Sequence, residues 1–378
     1  LTVIWRLWDM TDIKKLRQEI DNIDGKLKDL FIRRLKVSEQ VAQQKLTLNT
    51  PVYDKRREEE ILSGLAGEEY ANYLSGQFNL VMRNSRNIQY KSIAEQKNIS
   101  YAANAQKEIK EEIVFIQGMP GSYSDIISEK KYPRTKFVYK QYFEQVFKAV
   151  EEKDNSVGVL PMVNSTAGMV GEVFQYLYKY NVYISALEAL PVSHCLLACH
   201  SDFAKIKYVI SHPQALAQCR AFIEKHNLIP IPNDNTARAS EYVRELQSEE
   251  YAAISSEECA RLYKLTVLQK NLSDMENNTT RFAFITNKPI VNAECDRISV
   301  IFELDNTAGA LNNVLSTFGS LNININALHS MPHKQKPFAF NFYAEFTGNL
   351  NDKDIIALLY QLENELPYIK ITGSFKGA

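Results

Sequence analysis

The chain has 378 residues, room for two or three domains of ~100–200 residues, so a single small core is excluded. Apolar residues make up 45% and charged residues 24%, with no run near the ~18 apolar residues that a membrane span needs. Against 44 basic residues stand 45 acidic ones, so no global field recruits nucleic acid or an anionic membrane, and any bound anion must be met by locally placed groups. Five cysteines (Cys195, Cys199, Cys219, Cys259 and Cys295) include no C-x-x-C pair. They read as reduced, buried thiols of a cytoplasmic protein, with no metal site at zinc-ligand spacing.

Residues 1–9, LTVIWRLWD, are apolar but too short for a signal peptide, and Met10 before a good helix start marks them as an upstream extension. Residues 11–95 read as all helix. From Thr11 or Asp12 to Lys45 there is no proline and one glycine, which predicts a helix of ~35 residues and ~50 Å, ended by Asn49-Thr50-Pro51. Its apolar positions Leu16, Ile20, Ile23, Leu27, Leu30, Val37 and Val41 step alternately by four and three, a coiled-coil seam that needs a partner. Two further helices follow at 54–65 and 69–95.

Arg34 stands in that seam where Leu or Ile belongs, and an unpaired charge there costs several kcal/mol. Lys45 lies three turns on and only ~20° around the helix, on the same face. Arg17 flanks the seam near its other end. Asp54 and Glu58, then Ser85 and Gln89, repeat an i, i+4 polar pair on the apolar stripes of the second and third helices. A buried ion-pair network accounts for each residue singly. Taken together, the inward cationic excess points to a small anionic ligand.

Residues 96–111 are polar and without strong period, a linker. From 112 to about 287 strands alternate with helices, an α/β pattern. Predicted strands are 113–116, 156–160, 182–187, 195–198, 208–210, 251–254 and 281–285; the main helices are 142–150, 168–180, 213–226 and 236–246. Gly118-x-x-Gly121 matches neither a dinucleotide nor a phosphate loop. Polar loops at strand ends, Pro161–Gly168, His212–Gln218 and Thr280–Phe282, suit carboxylate binding, although each alone is also ordinary capping chemistry. Residues 297–375 change rhythm: strand 297–304, helix 310–319, strands 322–330 and 338–346, helix 352–365 and strand 368–375 give a βαββαβ, ferredoxin-like module.

The order LRQEID, RR, K, YD-x₂-RE and S-x₃-Q over 11–90 resembles the helical mutase domain of the bifunctional chorismate mutase/prephenate dehydratases. The resemblance implies that Arg17, Arg34, Lys45 and Arg57 grip the carboxylates and ether oxygen of chorismate. Asp54 and Glu58 then hold its hydroxyl and enolpyruvyl side, Ser85 and Gln89 complete the pocket, and the long helix exchanges in an intertwined homodimer or higher homo-oligomer. GSYS at 121–124, LPMVNST at 160–166, SHCLL at 193–197, SHPQ-x₃-QC at 211–219, NTA at 235–237 and TRF at 280–282 resemble the dehydratase blocks. By that resemblance the domain is two-lobed α/β, periplasmic-binding-protein-like, with Thr280 the donor to the leaving hydroxyl. Asn164 and Gln218 join it in catalysis, and Ser122, Ser165, Thr166, His212, Thr236 and Arg281 bind prephenate or support its carboxylates. Val163 stands where the family usually has Glu, which makes the cleft more positive.

The last module resembles an ACT domain. Asn306, Gly309, Ala310 and Leu311 match its glycine loop, and His329-Ser330-Met331-Pro332 matches its ESRP motif without Glu and Arg. The implied effector is L-phenylalanine, with a dimerisation module of weakened sensing as the alternative. The expected organisation is therefore a multidomain chain: extension 1–9, mutase 10–95, linker 96–111, dehydratase 112–290 and ACT 297–376. The implied function is chorismate to prephenate to phenylpyruvate, without cofactor or metal. A mutase with impaired dehydratase, and a non-catalytic amino-acid-binding regulator, remain as alternatives.

Overall fold

The computed structural model describes residues 2–275, 277–333 and 340–377, with side chains from Ile13 onward. Leu1 of the expected extension and residues 338–339 of the expected strand lie outside the described residues. Helix α1 (Thr2–Leu48) starts well before Thr11 and runs through the positions read as an extension. Helices α2 (Lys55–Ser63) and α3 (Ala71–Gln96) follow. Asp54 caps α2, accepting from the Arg57 backbone N–H at 3.0 Å.

The first α/β segment is β1 (Ile113–Gln117), α4 (Tyr123–Lys131), β2 (Lys136–Lys140), α5 (Phe143–Glu152), β3 (Ser156–Asn164), β4 (Gly168–Met169), α6 (Gly171–Lys179) and β5 (Tyr183–Pro191). The chain then crosses to β6 (Cys195–Ala198), β7 (Tyr208–Ser211), α7 (Pro213–Gln218), α8 (Arg220–Lys225), β8 (Ile229–Pro232), α9 (Thr236–Leu246), β9 (Tyr251–Ser255), α10 (Glu257–Tyr263) and β10 (Thr266–Gln269). It returns as β11 (Thr279–Thr286). The last elements are β12 (Arg297–Glu303), α11 (Ala310–Ser320), β13 (Ile325–Pro332), β14 (Phe340–Thr347), α12 (Lys353–Glu365) and β15 (Tyr368–Phe375).

One sheet runs β13-β14-β12-β15-β5-β11-β3-β1-β2, with β4 paired to β3; the other runs β10-β6-β9-β7-β8. The crossing segments meet side by side, with Val192 N–H donating to the Asn278 carbonyl at 2.8 Å. Phe147, Phe174, Leu177, Ile184 and Tyr343 form one core of the larger sheet, and Ile116, Ile127, Phe282 and Phe284 another. Each such buried side chain contributes roughly 1.5–3 kcal/mol. β15 joins β5 at Gly373, where a Cβ would lie 2.5 Å from the Ile184 carbonyl, so only glycine permits this approach.

By compactness the chain forms two units. One comprises the chain up to Tyr101 with Glu303–Asn324 and Asn351–Ile369; the other comprises Ala102–Phe302, Ile325–Leu350 and the chain from Lys370. In the first, α3 packs against α1 and against α12, around Ala42, Val52, Tyr90 and Ile93. The predicted seam of α1 is exposed along its length, Leu16 at 59% and Leu30 at 61%.

Four strands were not expected from the sequence: β2, β8 and β10, which are edge strands, and the two-residue β4, which pairs with β3 where the start of a helix at 168–180 was expected. β8 reads IPIP, and proline is tolerated at an edge because the missing N–H faces no neighbour. The helix expected at 213–226 is broken at Cys219 into α7 and α8.

Lys370 closes the end of α6, donating to the Leu177 carbonyl at 2.7 Å and to that of Tyr180. Burial lowers its pKa to about 8, against an opposing pull from Glu151. Between that value and the ordinary 10.5 the unfolded chain holds a proton that the folded chain has lost. Stability therefore rises with pH across this window, by up to about 3 kcal/mol. Denaturant midpoints at pH 8 and pH 9.5 should diverge for the parent and converge for Lys370→Met; an identical pH response in both proteins refutes the assignment.

Candidate active sites

A cavity of about 340 Å³ opens between the two sheets of the α/β unit. Gly118 (φ 115°) and Gly121 (φ 84°) turn the chain out of β1 into α4 and bring Ser122 and Tyr123 to its wall. On the other side, His212 caps α7 and Asn235 caps α9, placing His212, Gln218 and Thr236 on the lining.

β3 and β11 supply the centre. The register shifts by one residue at Met162, so Pro161 faces Phe282 and Asn164 faces Thr280 across the strands, and all four line the cavity. A bulge re-aims side chains in this way beside many active sites. The Asn164 amide is fixed at both ends. Its Nδ2 donates to Thr280 Oγ1 at 2.9 Å and to Asn278 Oδ1 at 2.8 Å, while its Oδ1 accepts from Thr166 Oγ1 at 2.7 Å and from the Thr166 and Ala167 N–H groups. Because Thr280 Oγ1 already accepts from Asn164, its own proton remains to be donated to a group in the cavity. Gln218 donates to Thr166 Oγ1 at 2.7 Å and accepts from Asn278 at 3.0 Å.

His194 extends this network, its Nε2 2.9 Å from Gln218 Oε1 and its Nδ1 3.3 Å from the Tyr123 hydroxyl. This arrangement assigns the Nε2–H tautomer. Burial holds the ring below its ordinary pKa, with Gln218 pulling the other way, so it is neutral. Burial lowers the pKa of His212 likewise, against Asp234. Apart from Asp234, the polar side chains that line the cleft are oriented neutral donors and acceptors, suited to stabilising developing charge on a leaving oxygen.

Ser165, Thr166 and Arg281 stand apart from this wall, Thr166 bonding Asn164 and Gln218 from behind it. Ser165 donates to the Asn277 carbonyl at 2.8 Å. Arg281 lies between Thr280 and Phe282 on the opposite face of β11, and grips Glu345 of β14 with two bonds of 3.3 and 3.0 Å. Val163 is its cross-strand neighbour and packs on the core cluster. Val163 does not line the cavity, so the carboxylate expected at this position is not missing from the cleft wall itself. Residues that the sequence did not single out are Tyr123, His194 and Asn278. They come from the α4 turn and the two crossing segments, which no local spacing connects.

In the helical unit, Arg34 Nη1 donates to the Val81 carbonyl at 3.1 Å and to the Ser85 hydroxyl. Lys45 Nζ donates to the Val52 carbonyl at 2.6 Å, and Gln89 Nε2 to the Ser85 carbonyl at 3.2 Å. Gln89 Oε1 is buried without a hydrogen-bond partner. Neither Arg34 nor Lys45 has a carboxylate within 4.0 Å among the described residues. Burial lowers both pKa values, and the field of Glu58 opposes it, joined at Lys45 by Asp54. Glu58 itself is paired with Arg86. The fold thus groups Arg34, Lys45, Glu58, Ser85 and Gln89. Arg17 is exposed on α1, Asp54 serves as a cap, and Arg57 points outward to Glu60 at 3.4 Å.

Of the expected effector residues, Gly309 adopts φ 82° as the N-cap of α11, with Ala310 and Leu311 in its first turn and Asn306 exposed before it. His329 and Ser330 lie on β13, opposite Tyr343 and Phe342 of β14. All five cysteines are unpaired thiols, four of them buried. Among the described residues no group of three or more His, Cys, Asp or Glu is placed to hold a metal.

A donor-lined cleft between two α/β lobes, joined in one chain to a helical site with two half-buried cations, defines an enzyme of two separate centres. A chorismate mutase type II family model matches residues 16–90 and a prephenate dehydratase family model matches residues 114–290. The chain is 30% identical to the bifunctional chorismate mutase/prephenate dehydratase of Enterobacter agglomerans, covering 95% of each. It is 34% identical to the prephenate dehydratase of Methanocaldococcus jannaschii over 68% of this chain and 94% of that one. The solved prephenate dehydratase of Staphylococcus aureus superposes with a TM-score of 0.61 at 25% identity, covering 70% of this chain and 99% of that chain. The protein belongs to the bifunctional chorismate mutase/prephenate dehydratase family.

Proposed function

We propose that this chain converts chorismate to prephenate in its helical site and prephenate to phenylpyruvate in its cleft, under feedback by L-phenylalanine. The observation that carries the reading is Thr280, whose oxygen is occupied by Asn164 and whose proton is thereby left for a leaving group.

The first step is an intramolecular rearrangement: the ether C–O bond breaks as a C–C bond forms, and no proton moves. Arg34 and Lys45 hold the dianion in a compact conformer, and Lys45 with Gln89 donates to the ether oxygen as charge develops there. Arg17, and Arg57 once turned inward from Glu60, take the remaining carboxylate contacts, with Asp54 and Glu58 on the hydroxyl and enolpyruvyl side. In the second step the ring carboxylate leaves as carbon dioxide. Its bonding pair enters the ring and expels the hydroxyl, which takes up a proton and departs as water. Thr280 bonds that oxygen as the C–O bond lengthens. Gln218, Ser122, His212 and Thr236 orient the substrate, with Thr166, Ser165 and Arg281 supporting from outside the wall.

The exposed seam of α1 supports an intertwined dimer, in which Arg17 of one copy faces the site of the other. The strand order β15-β12-β14-β13 supports a ferredoxin-like ACT module over 297–376, with mutase and dehydratase domains at 10–95 and 112–290. The two-sheet cleft supports the periplasmic-binding-protein-like reading. No described helix is long and apolar enough to cross a membrane, and the unpaired thiols support a cytoplasmic setting.

Chorismate turnover, followed for both products with and without L-phenylalanine, tests the reading. Prephenate should appear first and phenylpyruvate after it, with phenylpyruvate suppressed by the amino acid. Prephenate accumulating alone leaves only the mutase, and no turnover at all leaves a binding regulator.

A further inference from the structure

Arg86 follows Ser85 on α3 and carries one of the most completely satisfied guanidinium groups in the helical unit. Its Nη1 donates to Glu58 Oε1. Its Nε and Nη2 fork onto Glu365 of α12 at 2.8 and 3.4 Å. Its flat face lies over the Tyr53 ring, 4.7 Å from the centroid. Gln361 steadies Glu365 from one turn back at 3.1 Å. The three charged side chains are 11%, 20% and 16% exposed for Arg86, Glu58 and Glu365. A fork, a ring face and a second carboxylate leave this arginine a single placement.

That placement matters because of what surrounds Glu58. Arg34 and Lys45 both feel its field, and both are bonded to neutral groups. Without Arg86, the strongest attraction on the Glu58 carboxylate is toward those two cations. A carboxylate folded onto them cancels the charge that a dianionic substrate must find. We infer that Arg86 is a positioning residue of the mutase site: it holds Glu58 off Arg34 and Lys45 in the attitude that faces substrate, and Glu365 of α12 locks Arg86 in turn. A side chain some 280 residues downstream of Arg86 in sequence thus completes the mutase centre. The inference rests on the reading of Glu58 as a pocket carboxylate.

Steady-state mutase kinetics on the full-length protein test it, with phenylpyruvate formation from added prephenate as an internal control. Arg86→Met and Glu365→Gln should each lower mutase kcat/KM by on the order of 10–100-fold, as a misplaced polar group does, with dehydratase rates within two-fold. Acting through Glu58, they should be non-additive with it: Glu58→Gln/Arg86→Met and Glu58→Gln/Glu365→Gln should be no slower than Glu58→Gln alone. A merely structural ion pair gives additive losses, or falls in both activities, and either result overturns the inference. So does a Glu365→Gln protein with parental mutase kinetics while Glu58→Gln is impaired. If Glu58→Gln itself keeps full activity, the pocket assignment fails first and the inference falls with it. Glu365→Gln is nearly isosteric, so it decides the matter even where Arg86→Met does not fold.

Discussion

Thr280→Ala is expected to lower phenylpyruvate formation by about 10²–10³-fold, the effect of deleting one preorganised donor to a developing oxyanion. Prephenate formation from chorismate should stay within two-fold, because Thr280 and Arg34 belong to separate compact units. The direction of one proton decides the outcome. Asn164 is locked by Thr166 and Ala167 through its oxygen, so its NH₂ group must face Thr280 and Asn278. Thr280 then accepts from the protein and donates into the cavity. Thr280→Ser keeps that hydroxyl and should recover most of the rate, while Thr280→Val keeps the shape without the donor and should not. Equal activity in the Ser and Val proteins contradicts the role. Loss of both reactions in Thr280→Ala contradicts two independent centres.

Arg34→Ala should reduce mutase turnover by about 10³-fold, in line with the 3–5 kcal/mol lost when one partner of a buried charge pair is removed. Its effect on stability has the opposite tendency. Arg34 is half-buried, bonded to a carbonyl and a hydroxyl, and its pKa is depressed by burial. Deleting it removes a desolvated charge, so the thermal midpoint should hold or rise. A residue kept for structure shows the reverse: lower stability with turnover within a few-fold. Paired measurement of chorismate turnover and unfolding temperature separates the two.

Much of this molecule is readable in advance for identifiable reasons. The long first helix follows from an unbroken 3–4 period, and central strands such as β3, β6 and β9 from short apolar runs buried on both faces. The edge strand β13 was legible, but β2 and β8 were not, because half of their surface is solvated and their composition is that of loops. KFVYK and IPIP carry charge or proline where a central strand cannot. Within the sites, Thr280, Asn164 and Gln218 were accessible through their motifs. His194 lies in the SHCLL block and Asn278 just before TRF, but nothing local shows that they join the others, which happens only where the chain crosses between lobes. The partner of Arg281 lies on β14, and nothing near residue 281 announces Glu345.

Residue order alone marked most of the helices and central strands, the charged groups standing in an apolar seam, and the joining of a mutase and a dehydratase in one chain. Periodicity and spacing are local properties, legible in the chain without knowledge of any tertiary contact. Only the folded chain decided which face each site residue presents. The one-residue shift at Met162 turns Asn164 toward Thr280, and the alternation of β11 sends Arg281 away from it. The pairing of Arg86 with Glu365 spans most of the polypeptide. Such outcomes depend on register and long-range packing, where a displacement of one residue reverses a side chain and leaves the local sequence pattern unchanged.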